Sequence, residues 1–239
     1  MRVLVTRPEG DAERTAAALR RRGHDVLLAP MLRVELIADA EIGAGPWACV
    51  AMTSANAARA IAWHARMRAL ASLPVFTVGR QTAAAAREAG FTNVESADGD
   101  LNDLARLLAA RCKGLPGAVL YLAGKERAGD LAGALGAHGL RVATCVIYRT
   151  VEVGALPDEV RRALRAGMLA AVLHFSRRSA QAFLRALADA GLVDKSLGMR
   201  HYCLSPQVRE PLVAAGIQDI QVAAKPDEES LLALVGAQA

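Results

Sequence analysis

Short apolar runs rich in Val and Leu alternate along this chain with Ala-, Leu- and Arg-bearing segments of helical period. The runs Val3–Thr6, Val26–Leu28, Cys49–Met52, Val75–Val78, Val94–Ser96, Val119–Leu122, Val142–Ile147, Ala171–Phe175, Tyr202–Leu204 and Ile220–Val222 predict strands. Strand-then-helix alternation predicts parallel sheets covered by helices on both faces. The ten runs divide into two five-stranded sheets, and 239 residues is long for one compact α/β unit but suits two lobes.

An internal repeat supports two lobes. Val3–Val26 (VLVTRPEGDAERTAAALRRRGHDV) aligns with Val119–Val142 (VLYLAGKERAGDLAGALGAHGLRV) at a constant offset of 116, matching Leu19 to Leu135 and Gly23 to Gly139. MTSANAARA around Ser54 then answers HFSRRSAQA around Ser176, and VGRQTAAAAREAGF from Val78 answers LSPQVREPLVAAGI from Leu204. Two apolar segments, Val26–Leu36 and Val142–Val153, are too long for single core strands and continue past an Arg as alternating residues. They predict a two-stranded β connector near residues 30–36 and 147–153. One lobe would then comprise residues 1–36 and 152–239, and an inserted lobe residues 37–151. A plainer division near Leu115–Gly117, one repeat to each lobe, remains open.

Composition narrows the function. Hydrophobic residues make up 53% of the chain and charged residues 22%, enough for a core in each lobe and too apolar for disorder. A net charge of +5 suggests an anionic partner, whereas 4% aromatic residues argue against stacking platforms for nucleic acid. A small anionic ligand fits both. Cys49, Cys112, Cys145 and Cys203 stand far apart without a C-x-x-C pair and read as reduced core residues. The opening MRVLVTRPEG has the shape of neither a signal peptide nor a targeting helix, and no uncharged run could span a bilayer. A cytoplasmic monomer is the expectation.

Ligands of doubly wound sheets bind at the carboxyl ends of the strands, so the loops there hold the candidate chemistry, in a cleft expected between the lobes. Thr6-Arg7-Pro8-Glu9-Gly10 follows the first strand and offers a cation. Thr53-Ser54-Ala55-Asn56 and Ser176-Arg177-Arg178-Ser179 carry hydroxyls suited equally to helix capping and to anion binding. Val78-Gly79-Arg80-Gln81-Thr82 and Leu204-Ser205-Pro206-Gln207 form a third equivalent pair, and Gly124-Lys125-Glu126-Arg127 adds positive charge.

Other chemistries lack their motifs. No G-x-G-x-x-G follows a strand, Gly124-Lys125 is not a P-loop, and no G-x-S-x-G elbow presents a nucleophile. His24, His64, His138, His174 and His201 have no metal-ligand spacing, and His174 is expected to be a satisfied core imidazole. No cofactor or metal is implied.

Taken in order, VLVTRPEG, TSANAARA, VGRQTAAAAREAGF, YLAGKERAGDLAGAL, VIYRT, HFSRRSA and LSPQVREPL resemble the uroporphyrinogen-III synthase family over nearly the whole chain. The resemblance implies two flavodoxin-like, doubly wound parallel-sheet lobes joined by a β-ladder. It also implies a cofactor-free lyase (EC 4.2.1.75) that closes hydroxymethylbilane, a linear tetrapyrrole, to uroporphyrinogen III with loss of water and inversion of the last ring. By the same resemblance, Tyr148 falls on the family's tyrosine beside the leaving hydroxyl, although it could equally be a packing residue. Thr53, Ser54, Thr82 and Ser176 fall on hydroxyl positions that line the cleft. Arg7, Lys125 and Arg127 are added on charge as carboxylate partners. Where the family often has Gly-Pro-x-Thr, this chain has Ser205-Pro206-Gln207-Val208, which leaves the backbone N–H of Gln207 as the contact.

That reaction agrees with the residues. A substrate with many carboxylates needs N–H groups, hydroxyls and cations, and an azafulvene that can close unaided to the wrong isomer needs positioning more than acid or base strength. Two other classes stay open: a non-catalytic binding module for an anionic metabolite, and a sugar-nucleotide transferase, for which no diphosphate loop is seen. Neither nucleic acid nor a membrane is expected as a partner.

Overall fold

The computed structural model describes residues 1–127 and 129–236. Ala128, inside the second copy of the repeat, and residues 237–239, at the end of the first expected lobe, lie outside the described residues. The strands are β1 (Arg2–Val5), β2 (Asp25–Leu28), β3 (Leu32–Leu36), β4 (Trp47–Met52), β5 (Val75–Thr77), β6 (Val94–Ser96), β7 (Ala118–Gly124), β8 (Val142–Glu152), β9 (Ala171–His174), β10 (Arg200–Cys203) and β11 (Ile220–Val222). The helices are α1 (Glu9–Arg21), α2 (Ala55–Ala62), α3 (Met67–Leu70), α4 (Arg80–Glu88), α5 (Leu101–Cys112), α6 (Leu131–Gly136), α7 (Asp158–Arg165), α8 (Arg177–Asp189), α9 (Val193–Leu197), α10 (Pro206–Ala214) and α11 (Glu228–Val235). The chain divides into two compact units, one of Met1–Arg33 with Val151–Ala239 and one of Val34–Thr150.

In the first unit a parallel sheet has the order β11-β10-β9-β1-β2. Side chains of β1 alternate between its faces, as a period of two requires. Leu4 packs with Val172, Phe183 and Leu187 on one side, while Val3 and Val5 pack with Ala16, Leu19 and Leu231 on the other. Helix α1 shows why the local sequence folds as it does. Pro8 stands at its start, Glu9 and Asp11 occupy its first turn, and Arg20 and Arg21 occupy its last, the charge order that the helix dipole favours. Its buried stripe is Ala12, Thr15, Ala16 and Leu19, and burying one Leu of this kind contributes about 1.5–3 kcal/mol.

The second unit repeats the scheme. Val50, Met52, Leu120 and Leu122 pack against Ile61 and Ala86, and the alternate residues Cys49, Ala51 and Val119 pack against Leu104, Leu108 and Leu131. The internal repeat has a direct structural meaning. Val3 pairs with Val26 and Val119 with Val142 in parallel register. In each copy the helix ends the same way: His24 N–H donates to Leu19 O and Leu140 N–H to Leu135 O, both at 3.2 Å. The intervening Gly23 and Gly139 hold φ of 82° and 75°, a left-handed conformation in which a Cβ is strained.

One expectation is revised. The sheet that contains β4 has six strands, in the order β3-β8-β7-β4-β5-β6, not five. Pro30, which has no N–H to donate, interrupts the long Val26–Leu36 segment, so β3 starts afresh at Leu32 and joins the sheet at its edge. It runs antiparallel to β8, with Ile37 N–H donating to Ile147 O and Val153 N–H to Met31 O, each at 2.9 Å. β8 runs on without a break for 11 residues, past the division between the units at Thr150 and Val151. All four cysteines are free and buried, with the Cys49 and Cys112 sulfurs 3.0 Å apart.

His174 and His201, on adjacent strands, are fully buried with their rings stacked 5.2 Å apart and within 2° of parallel. His174 Nε2 lies 3.0 Å from His201 Nδ1, while His174 Nδ1 has no partner among the described residues. The satisfied core imidazole expected from the sequence is thus half satisfied. Burial, and then the neighbouring imidazole, push the His174 pKa well below the usual 6.5. Native His174 stays neutral while the unfolded chain takes up a proton, so stability is full above about pH 6.5 and falls as the pH drops through that value. Urea unfolding at pH 7.5, 6.5 and 5.5 should show a loss approaching roughly 1 kcal/mol per pH unit below 6.5, reduced in His174→Gln. A midpoint that does not move would contradict this assignment.

Candidate active site

Parallel strands that alternate with helices bring their carboxyl ends to one edge of the sheet. In the second unit, that edge encloses a cavity of about 430 Å³. Thr53 and Ser54, at the end of β4, line it together with Val78 after β5, Tyr121 and Gly124 on β7, and Tyr148 on β8. The start of α5 and the segment after β7 complete the wall through Asp100, Asn102, Glu126 and Arg127.

Hydroxyl groups dominate its chemistry. Ser54 caps α2, its Oγ accepting from Asn56 N–H at 3.2 Å, and it lines the cavity beside Tyr148. Burial raises the Tyr148 pKa above the usual 10; the neighbouring Ser54 hydroxyl opposes this, and the nearby Tyr121 and Glu126 add to it. The phenol therefore keeps its proton at neutral pH. Thr53 Oγ1 lies 2.9 Å from the Tyr121 hydroxyl.

Tyr148 owes its seat to a glycine. The β7–β8 register slips between Ala123 and Gly124, which sets Gly124 opposite Tyr148. A Cβ on Gly124 would lie 2.6 Å from Tyr148 Cζ and 2.8 Å from its hydroxyl. No side chain larger than hydrogen leaves the ring where it is.

The charges are largely engaged. Glu126 Oε2 accepts from Thr150 N–H at 3.1 Å, and Asp100 Oδ1 accepts from Asn102 N–H at 2.7 Å and Asp103 N–H at 3.0 Å as the cap of α5. Arg127 is the cation that lines the cavity among the described residues. Lys125 is exposed outside the lining, with its N–H bonded to Tyr148 O at 2.9 Å, and Thr82 is buried in the first turn of α4, also off the lining.

Of the residues singled out from sequence, Thr53, Ser54, Arg127 and Tyr148 therefore share one cavity. Arg7, Ser176 and Gln207 stand at the carboxyl edge of the first unit's sheet. The Arg7 guanidinium is held by Asp11 and Glu228, each at 3.1 Å, by Thr15 at 3.0 Å, and lies 4.3 Å from the Phe175 ring centre. Ser176 forms a capping box with Ser179 at the start of α8, and Gln207, exposed in the first turn of α10, accepts from Ser205 Oγ at 3.0 Å. Tyr121, Asp100, Asn102 and Glu126 were not anticipated. Tyr121 has one usable signal: the chain has only three tyrosines, and a phenol inside an apolar strand needs a hydrogen-bond partner.

Fold and cavity define a class, a two-unit doubly wound α/β protein that offers hydroxyls and one cation to a polar ligand at the carboxyl edge of a parallel sheet. The family model described as uroporphyrinogen-III synthase HemD matches residues 13–233, and the chain belongs to that family of lyases (EC 4.2.1.75) of porphyrin biosynthesis, whose substrate is hydroxymethylbilane. A uroporphyrinogen-III synthetase structure from Helicobacter pylori 26695 is similar in fold, at 19% identity and a TM-score of 0.65, with 98% of each chain covered. Mutant and wild-type synthases from Thermus thermophilus are each 18% identical, with TM-scores of 0.48 and 0.42, covering 98% of this chain and 97% and 96% of theirs. These last two superpose too loosely to carry an argument. A search of curated protein sequences finds no match.

Gly124→Ala should lower kcat by about tenfold or more by pushing Tyr148 aside, while the thermal midpoint moves by only a few degrees, about 1 kcal/mol. Steady-state kinetics beside a melting curve checks this, and unaltered kcat would show that the ring does not need its present seat.

Proposed function

We propose that the chain closes hydroxymethylbilane to uroporphyrinogen III with Tyr148 as the proton donor to the leaving hydroxyl. The observation that carries this reading is the place of Tyr148 in the cavity wall beside Ser54, where burial holds the phenol in its protonated form. A phenol that keeps its proton at neutral pH can give it to an oxygen that departs inside the cavity.

The bonds balance without a cofactor. The hydroxymethyl C–O bond of the first ring breaks, Tyr148 gives its proton to the departing oxygen, and water leaves. The pyrrole nitrogen supplies the electron pair that makes the azafulvene. Attack by the substituted α-carbon of the last ring forms a spiro intermediate. Cleavage of the bond from that carbon to the third ring's bridge, and closure of the bridge onto the other α-carbon, inverts the ring. The proton lost from this carbon replaces the one that Tyr148 gave. Nothing is oxidised or reduced overall, so the reaction needs no redox group.

Thr53, Ser54 and Arg127 are the proposed partners for substrate carboxylates in the second unit, with Lys125 and Thr82 beside them. Arg7, Ser176 and the N–H of Gln207 have that role in the first, where Arg7 must exchange Asp11 and Glu228 for a substrate carboxylate. The same reading makes the protein a cytoplasmic monomer with neither nucleic acid nor membrane as partner. Among the described residues no helix is long and apolar enough to cross a membrane.

The test mixes purified protein with freshly generated hydroxymethylbilane, oxidises the products and separates the type I and type III isomers. Type III should dominate without added cofactor, and Tyr148→Phe should lower kcat by about a hundredfold, the low end of general-acid effects because this hydroxyl departs readily. Type I alone from folded wild-type protein would refute the activity. An unaffected Tyr148→Phe would remove the phenol from the mechanism.

A further inference from the structure

Tyr121 occupies a place where an apolar side chain would suffice. It lies between Leu120 and Leu122 on β7, paired with Ala51 on β4 and Thr144 on β8, and it is 2% exposed. On its face of the sheet it packs with Leu104, Leu131 and other apolar residues. Its one polar atom lies 2.9 Å from Thr53 Oγ1 at the cavity wall. A buried phenol requires such a partner, and here the partner is a residue of the site.

The sheet's two faces explain the arrangement. Consecutive residues of extended chain point to opposite sides. Tyr121 belongs to the core on one face and Tyr148 to the core on the other. Thr53 and Ser54, leaving β4 one after the other, line the cavity with both phenols, and Thr53 is bonded to that of Tyr121. The dipeptide is thereby held by Tyr121 at the point where it turns into α2. We infer that Tyr121 is a positioning residue for the cyclisation, fixing Thr53 and through it the place of Ser54 beside Tyr148. This inference rests on the reading of the cavity as the synthase site.

Loss of this clamp has a chemical signature. The azafulvene closes to the type I isomer whenever it is not held, so loosened positioning raises type I beyond the enzyme-free background, whereas simple loss of folded protein only enlarges that background. Wild type, Tyr121→Phe, Thr53→Val and the double variant are compared for the type III to type I ratio, corrected for the enzyme-free reaction, with circular dichroism as the check on folding. Tyr121→Phe should lower the ratio by about fivefold to thirtyfold, as expected for one lost positioned hydrogen bond, and the double variant should fall little further than Thr53→Val alone. A Tyr121→Phe enzyme that keeps the wild-type ratio, at whatever turnover, overturns the inference. If that variant does not fold, Tyr121→Met takes its place: a lowered ratio upholds the clamp and an unaltered one overturns it. Type I alone from the wild type overturns the synthase reading and this inference together, before any variant is compared.

Discussion

Burial of both sheet faces is the constraint from which the rest follows. A parallel strand with apolar side chains on both sides must be covered twice, and each strand must return through a helix to start the next. Both requirements send the strands, the edge strand β3 excepted, in one direction and leave their carboxyl ends on one edge. Polar groups then collect there, because the core has no place for them and the helix starts need caps. Ser54, Asp100 and Ser176 are all caps, and two of the three also line the cavity. A cavity furnished with N–H groups and hydroxyls is in this sense a by-product of covering two sheets, which later chemistry can use.

What the sequence made legible is what periodicity can report. Each short Val- and Leu-rich run became a strand, since a run of that length flanked by capped helices has few other ways to bury itself. The repeat was visible because Leu19 and Leu135 fill equivalent core positions and Gly23 and Gly139 perform the same left-handed turn. Strand ends were less visible. β7 runs to Gly124, beyond its apolar stretch, because backbone pairing continues where side chains no longer need burial, whereas the long Val142–Val153 segment did announce the reach of β8 to Glu152. The sixth strand escaped notice as part of a sheet for the same reason: β3 is half exposed and its alternation resembles that of a free ribbon.

The site was legible only in part, for a different reason. Thr53, Ser54 and Tyr148 stood out through loop position and family resemblance, but Tyr121 looks like core because it is core, except for one oxygen. Arg7 illustrates the opposite case. Its charge and place after β1 suggested a free cation, whereas its guanidinium is shared between Asp11 and Thr15, close by in sequence, and Glu228, which α11 brings from the other end of the unit and no local pattern connects. Side-chain partners that are distant in sequence are what a linear pattern leaves unspecified.

The place of β1 in its sheet has a consequence for synthesis on the ribosome. β1 lies between β2 and β9, with Val3 in register with Ala171. β1 is therefore an inner strand, and its second neighbour is translated only after the whole of Val34–Thr150 has been made. At about 5–20 residues per second, β1 waits on the order of ten seconds or more with one hydrogen-bonding edge unpaired. The contiguous unit can fold as it leaves the tunnel, whereas the unit built from the two chain ends must fold last, around a strand that has waited longest.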